Sequence, residues 1–225
     1  MIIAVANSKG GVGKSTLAVH LAAWLSERGR SVALADCDTQ QSSSQWVREA
    51  CPMVRTICFQ DPDDIIETLP HLAREVDYVV ADGPGSLVEI TRAILLVADT
   101  AIVPCKASML EIRALDAATK VLRLARQIRS GKPEATIVLS MVGKRYRLTQ
   151  DMHDAAAVLK LPISPTMLTL RQVYADAPGQ AAVVWNMGSR ARDAASEIDR
   201  LFRELFPEVG TRKPGKQVMN ELVET

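Results

Sequence analysis

The chain has 225 residues, 27 Lys and Arg against 26 Asp and Glu, 48% hydrophobic residues and 4% aromatic residues. At roughly 100–200 residues per domain it makes one compact domain with a proper core, which excludes a disordered chain. No apolar run approaches the roughly 18–20 residues of a membrane helix. Met1 leads straight into Ile2-Ile3-Ala4-Val5-Ala6 with no basic leader, so a cytoplasmic protein is expected.

Ile2–Asn7 reads as a strand and Ser15–Arg28 as a helix, with Leu17, Leu21, Trp24 and Leu25 on one face and Gly29 closing it. A strand Ser31–Asp36, a polar stretch through Ser42-Ser43-Ser44 and a strand Val54–Gln60 follow. Asp61-Pro62 opens a helix over Asp63–Arg74, because Pro fits a first helical turn and acids suit its positive end. Asp77–Asp82 is the next strand and ends in the turn Gly83-Pro84-Gly85-Ser86. The pattern then predicts a helix near Glu89–Ala98, a strand Thr100–Cys105, a long helix from about Met109 to Arg129 and a strand Ala135–Val142. A basic loop leads to a helix near Thr149–Lys160, a short strand Ile163–Leu168 and a last helix Ser189–Phe206. Nearly continuous apolar strands separated by helices imply a doubly wound α/β domain, a mainly parallel sheet with helices on both faces and its ligand at the carboxyl ends of the strands. One domain is expected over residues 1–206, with a polar tail over 207–225. Cys37, Cys51, Cys58 and Cys105 lack metal-finger spacing and read as buried thiols, and His20, His71 and His153 show no ligand spacing.

The strongest motif is Gly10-Gly11-Val12-Gly13-Lys14-Ser15-Thr16, between the first strand and the first helix. It is a Walker A loop whose frame begins with Ser8 instead of Gly. The glycines let successive backbone amides converge on phosphate, the helix N-terminus adds its dipole, Lys14 reaches the β/γ oxygens and the Ser15 hydroxyl can ligate Mg²⁺. Carboxylates at strand ends beside such a loop, here Asp36, Asp38 and Asp82, suit a magnesium ion held through its waters.

With Lys9 in front, the string resembles the deviant Walker A motif of the ParA/MinD ATPases, a branch of the P-loop NTPases. That resemblance implies ATP and Mg²⁺ as cofactors and a nucleotide-sandwiched homodimer in which Lys9 reaches the partner's phosphates, acting much as an arginine finger does. Asp36-Cys37-Asp38-Thr39-Gln40 resembles the family's D-x-D-P-Q segment, and Tyr78–Asp82 with Gly83-Pro84-Gly85 resembles Walker B. By analogy Asp38 orients the attacking water, Asp36 supports the metal shell and Asp82 holds a magnesium water. Thr39 stands where the family usually has Pro, which leaves the switch backbone less constrained. Pro104 and Leu170–Ala177, with Gly179 and Val183 beyond, extend the likeness over nearly all of residues 1–206.

The near-zero net charge hides segregation: residues 61–100 carry 2 basic and 9 acidic groups, whereas residues 101–192 have a balance of +8. Lys144, Arg145 and Arg147 in a loop, with Arg171, Arg190 and Arg192, are candidate phosphate contacts, while the 120–129 group reads as a solvated helix face. The closest resemblance is to short ParA proteins without an N-terminal helix-turn-helix domain. It implies a slow, partner-stimulated ATPase that binds non-specific DNA as a dimer, associates with the nucleoid and segregates a plasmid or chromosome through a centromere-binding adaptor. Carboxysome or chemoreceptor positioning, a MinD-like membrane-bound division regulator and a dethiobiotin-synthetase-like ligase are the alternatives. The membrane alternative is disfavoured by the short C-terminal segment with Glu221 and Glu224.

Overall fold

A computed structural model of the chain describes residues 1–7, 9–85, 88–113, 115–143, 153–154, 156–157 and 159–210. Six strands, β1 (Ile2–Val5), β2 (Val32–Asp36), β3 (Arg55–Cys58), β4 (Tyr78–Asp82), β5 (Thr100–Lys106) and β6 (Glu134–Ser140), form one parallel sheet in the order β3-β2-β4-β1-β5-β6. Side chains alternate between its faces, so each strand feeds two cores. Ile3, Val5, Leu34, Val80, Ile102 and Val138 meet one set of helices, and Ile2, Ala4, Ala35, Val79, Ala81, Val103 and Ile137 meet the other.

On the first face lie α1 (Lys14–Ser26), α2 (Ser42–Ala50), α7 (Gln172–Gly179) and α8 (Arg192–Leu205). On the second lie α3 (Pro62–Glu75), α4 (Val88–Val97), α5 (Met109–Arg113) and α6 (Asp116–Ile128). Helix α1 is more deeply placed than its expected one-sided pattern: every residue from Leu17 to Leu25 is buried. Gly29, at φ +74°, lets the chain turn out of that helix. Asp61 caps α3, its carboxylate accepting from the amides of Asp63 and Asp64.

Three expectations are corrected. The polar stretch at Ser42-Ser43-Ser44 is the first turn of α2, fixed by burial of Trp46 and Val47 and by the Asp36 carboxylate, which accepts from Ser44 N at 2.8 Å. The long helix is two helices, α5 and α6, with a tight turn at Leu115, whose amide donates to Ile112 O. The expected strand Ile163–Leu168 is reduced to isolated bridges, Ile137 with Ile163 and Val142 with Thr169. Between Ser164, whose amide donates to Ile137 O, and Leu168, whose amide donates to Leu139 O, the chain advances four residues against two on β6, so it bulges out of register, with Ser164 Oγ accepting from Thr166 N, and no continuous ladder forms. A short helix, α9 (Pro207–Gly210), continues past residue 206 with Val209 fully buried, while residues 211–225 lie outside the described residues. Cys37 and Cys105 are buried, whereas Cys51 and Cys58 are half-buried, and all four are free thiols.

Sheet register prepares the site. Val5 and Asp36 both stand opposite Asp82, so the carboxyl ends of β1, β2 and β4 are level. Strand β1 lies between β4 and β5, where the chain order reverses, and the loop leaving it opens at that switch point.

Candidate functional site: a phosphate loop and a flanking apolar pocket

The loop from β1 to α1 is held from several sides. Asn7 Nδ2 donates to Pro104 O at 2.7 Å and Asn7 Oδ1 accepts from Lys9 N at 3.0 Å. Gly11 and Gly13 take left-handed φ values of +66° and +91°, which a side chain resists, and Gly13 is the N-cap of α1. The buried Ser140 hydroxyl donates to Val12 O at 2.8 Å, tying the loop to the end of β6. Gly85 packs so closely over the loop that a Cβ there would lie 3.0 Å from Gly10 Cα and 3.7 Å from Lys14 Nζ. Asn7, Ser140 and Gly85 were not singled out as site residues, because their roles come from contacts distant in sequence.

Lys14 is buried, and its ammonium donates to Lys9 O at 2.9 Å. Burial lowers its pKa, countered by the nearby carboxylates of Asp82 and Asp38, so a buried cation with both acids nearby faces the loop. Lys9 is exposed and makes no ion pair among the described residues. Ser15 and Thr16 occupy the first turn of α1 beside it.

The three acids are differently engaged. Asp36 is fully buried, with Oδ1 accepting from Asp38 N at 3.1 Å and Oδ2 accepting from Ser44 N. It therefore fastens the segment that carries Asp38. Asp38 is half-buried, and its Oδ1 accepts from Gln40 N at 3.0 Å while its carbonyl accepts from Gln41 N. These bonds close the turn around Thr39 without the restraint of a proline. Asp82 is fully buried, and neither carboxylate oxygen has a hydrogen-bond partner, nor does the buried Ser43 hydroxyl. Burial pushes its pKa up to about 7; the Ser15 and Ser43 hydroxyls counter the rise without closing a well-formed bond, and Asp36 adds to it.

Unpaired buried carboxylate oxygens beside a Ser15 hydroxyl fit a hydrated Mg²⁺, which keeps several waters and takes one or two protein ligands plus phosphate oxygens. No group of three or more His, Cys, Asp or Glu side chains is clustered as metal ligands among the described residues. An ion here would thus rely on Ser15, Asp82 and the phosphates.

Next to the loop, Gly13, Thr16 and Leu17 form one side of a mostly apolar pocket. Ser140, Met141, Leu168, Thr169, Leu170, Arg171, Tyr174 and Ala175 line the rest. Such a slot, opening beside a phosphate site, suits a flat heteroaromatic base. Of this wall only Arg171 carries a role in the sequence reading, as a DNA contact, because Leu168 and Leu170 look in sequence like ordinary core positions.

The candidate DNA contacts separate into groups. Lys144, Arg145 and Arg147 lie outside the described residues. Arg171 turns inward, with ion pairs to Glu197 at 2.7 Å and Asp193 at 3.1 Å. Arg190 is exposed and donates to Gln180 Oε1, and Arg192 is exposed at the start of α8. No helix among the described residues is long and apolar enough to cross a membrane.

Residues 3–181 match the family described as the CobQ/CobB/MinD/ParA nucleotide binding domain. The chain belongs to that family. This ParA/MinD-type domain is 32% identical over 210 residues to the maintenance of carboxysome distribution protein A of Halothiobacillus neapolitanus, covering 91% of this chain and 96% of that protein. It is 24% identical to the sporulation initiation inhibitor protein Soj of Bacillus subtilis, covering 88% and 95% of the two chains. Among solved structures, apo McdA from Cyanothece superposes with a TM-score of 0.69 at 17% identity, covering 91% of this chain and 98% of that one. The septum site-determining protein MinD of Pyrococcus horikoshii, solved with Mg-ADP, gives 0.70 at 17% identity, covering 94% and 98%. These two likenesses establish the shared fold.

Proposed function

We propose that this ParA/MinD-type domain is an ATP-driven switch that dimerises on ATP, engages non-specific DNA as a dimer and positions a protein cargo through an adaptor that stimulates hydrolysis. The observation that carries the cargo assignment is the near-full-length similarity to a carboxysome distribution protein. Chromosome partition is the second reading, supported by the more distant similarity to Soj.

The nucleotide is ATP and the metal Mg²⁺. Gly10 to Thr16 cradle the phosphates with backbone amides, and Lys14 supplies a buried cation beneath them. Ser15 and Asp82 would hold the ion, which when bound neutralises charge on the phosphate oxygens. Asp38, on a turn anchored by Asp36, would orient the attacking water. The exposed ammonium of Lys9 is left for phosphates held by a second subunit, so one chain alone is an incomplete catalyst and turns over slowly.

Binding to duplex DNA of arbitrary sequence, measured with ATP and with ADP over a salt series beside anionic lipid vesicles, tests this function. ATP-dependent, steeply salt-sensitive DNA binding without vesicle binding is expected. DNA affinity independent of nucleotide, or ATP-dependent vesicle binding, would contradict it. Deletion of the gene, followed by imaging of the nucleoid and of large cytoplasmic protein assemblies, separates the two cargo readings.

A further inference from the structure

Behind the apolar pocket, one carboxylate gathers the polar groups of its wall. Glu197, on α8, accepts from Thr169 Oγ1 at 2.9 Å, Thr169 N at 3.2 Å and Arg171 Nη2 at 2.7 Å, with Arg171 Nε a further 3.3 Å contact. Tyr174 Oη lies 3.4 Å from its Oε2 and 3.2 Å from Ala194 O, on the same helix. Thr169, Arg171 and Tyr174 all line the pocket. The side chains of Glu197 and Arg171 are only 15% and 22% exposed, so the pair is shielded more than a surface ion pair. Asp193 holds the second arm of the Arg171 guanidinium.

The backbone explains why this wall needs an anchor. Leu168 N and Leu170 N donate to Leu139 O and Val142 O, so they face β6, and the intervening Thr169 amide faces away. A continuous sheet would pair that amide with another strand. Among the described residues no strand lies beyond, and the amide is satisfied by Glu197. Without that carboxylate the wall keeps its inner bonds to β6, Thr169 loses its outer partner, and Arg171 and Tyr174 are left with Asp193 and Ala194 O alone.

We propose that Glu197 is a positioning residue for the nucleotide base: by fixing Thr169, Arg171 and Tyr174 from α8, it holds the pocket wall at the spacing a base requires, without touching the nucleotide. This inference rests on the assignment of the apolar pocket to the base.

Fluorescently labelled ADP and inorganic tripolyphosphate separate the pocket from the phosphate loop, because the second ligand has no base. With the full chain, Glu197→Ala should weaken ADP about ten-fold and tripolyphosphate less than two-fold. Glu197→Gln keeps an acceptor for Thr169 but loses the ion pair to Arg171, and should weaken ADP about three-fold. Lys14→Ala should lose both ligands, which shows that tripolyphosphate reports on the loop. Unchanged ADP affinity in both Glu197 variants would overturn the proposal, as would a parallel loss of both ligands in Glu197→Gln. Failure of the wild-type chain to bind ADP while it still binds tripolyphosphate would instead remove the assignment of the pocket to a base.

Discussion

His20 offers a test of how the nucleotide helix is locked into the fold. It is fully buried, one turn after Thr16, with Nδ1 2.6 Å from Thr16 O and Nε2 accepting from Val184 N at 3.1 Å. These partners require the neutral ring with its proton on Nδ1. The rings of Trp46, Tyr174 and Trp185 surround it edge-on at 5.3, 6.2 and 5.6 Å. Burial pulls its pKa from the usual 6.5 down to about 4, only partly offset by the bond to Thr16. Since the unfolded chain takes up the proton first, stability is intact above about pH 6.5 and falls as pH drops toward 4. The loss is about 2 kcal/mol between pH 7 and pH 5, and about 3 kcal/mol over the whole window. Asp82 works in the opposite sense: its pKa, raised to about 7, means that its contribution to stability declines as pH rises from about 4 to 7. Total stability therefore hides the histidine, and a difference is needed. Urea unfolding of the wild type and His20→Gln, followed by tryptophan fluorescence at both pH values, supplies it. The advantage of the wild type over the variant should shrink by about 2 kcal/mol on going from pH 7 to pH 5. An advantage that stays the same at both pH values would refute the neutral, doubly bonded ring.

Gly85→Ala drives a Cβ to 3.0 Å from Gly10 Cα. Backbone on both sides cannot yield cheaply, so nucleotide binding should weaken by about 1–3 kcal/mol, read by titration with labelled ADP; undiminished affinity would show that the two segments separate freely. Lys9→Ala should retain nucleotide binding by the single chain and lose ATP-dependent association in analytical ultracentrifugation. Normal association in that variant would rule out a cross-subunit role for the ammonium.

The sheet was legible because its strands are apolar on both faces, as in Tyr78–Asp82, where all five residues are buried. The loop stands out in the sequence because its glycines and Lys14 fall within seven consecutive residues between β1 and α1. Helix α2 was not, since its serines have weak helical preference and their order comes from Asp36 and the burial of Trp46. Helix α7 is hidden in the sequence because Pro178 near its end disguises it. The base-pocket wall depends on Glu197, 28 residues from Thr169, and no local pattern links the two. Charge counting showed a basic stretch but not its geometry. Arg171 and Arg129, both in that stretch, are held by Glu197 and Asp99 within the fold.

The central claim is that ATP itself, through Lys9 and the phosphate loop, brings two chains together until hydrolysis parts them. The most direct measurement is light scattering of Asp38→Ala with Mg-ATP and with Mg-ADP, because loss of the carboxylate we propose orients the water should trap the state before hydrolysis. Twice the monomer mass with ATP and the monomer mass with ADP is the predicted result. A monomer in both nucleotides, or a dimer in both, would contradict a nucleotide-gated switch.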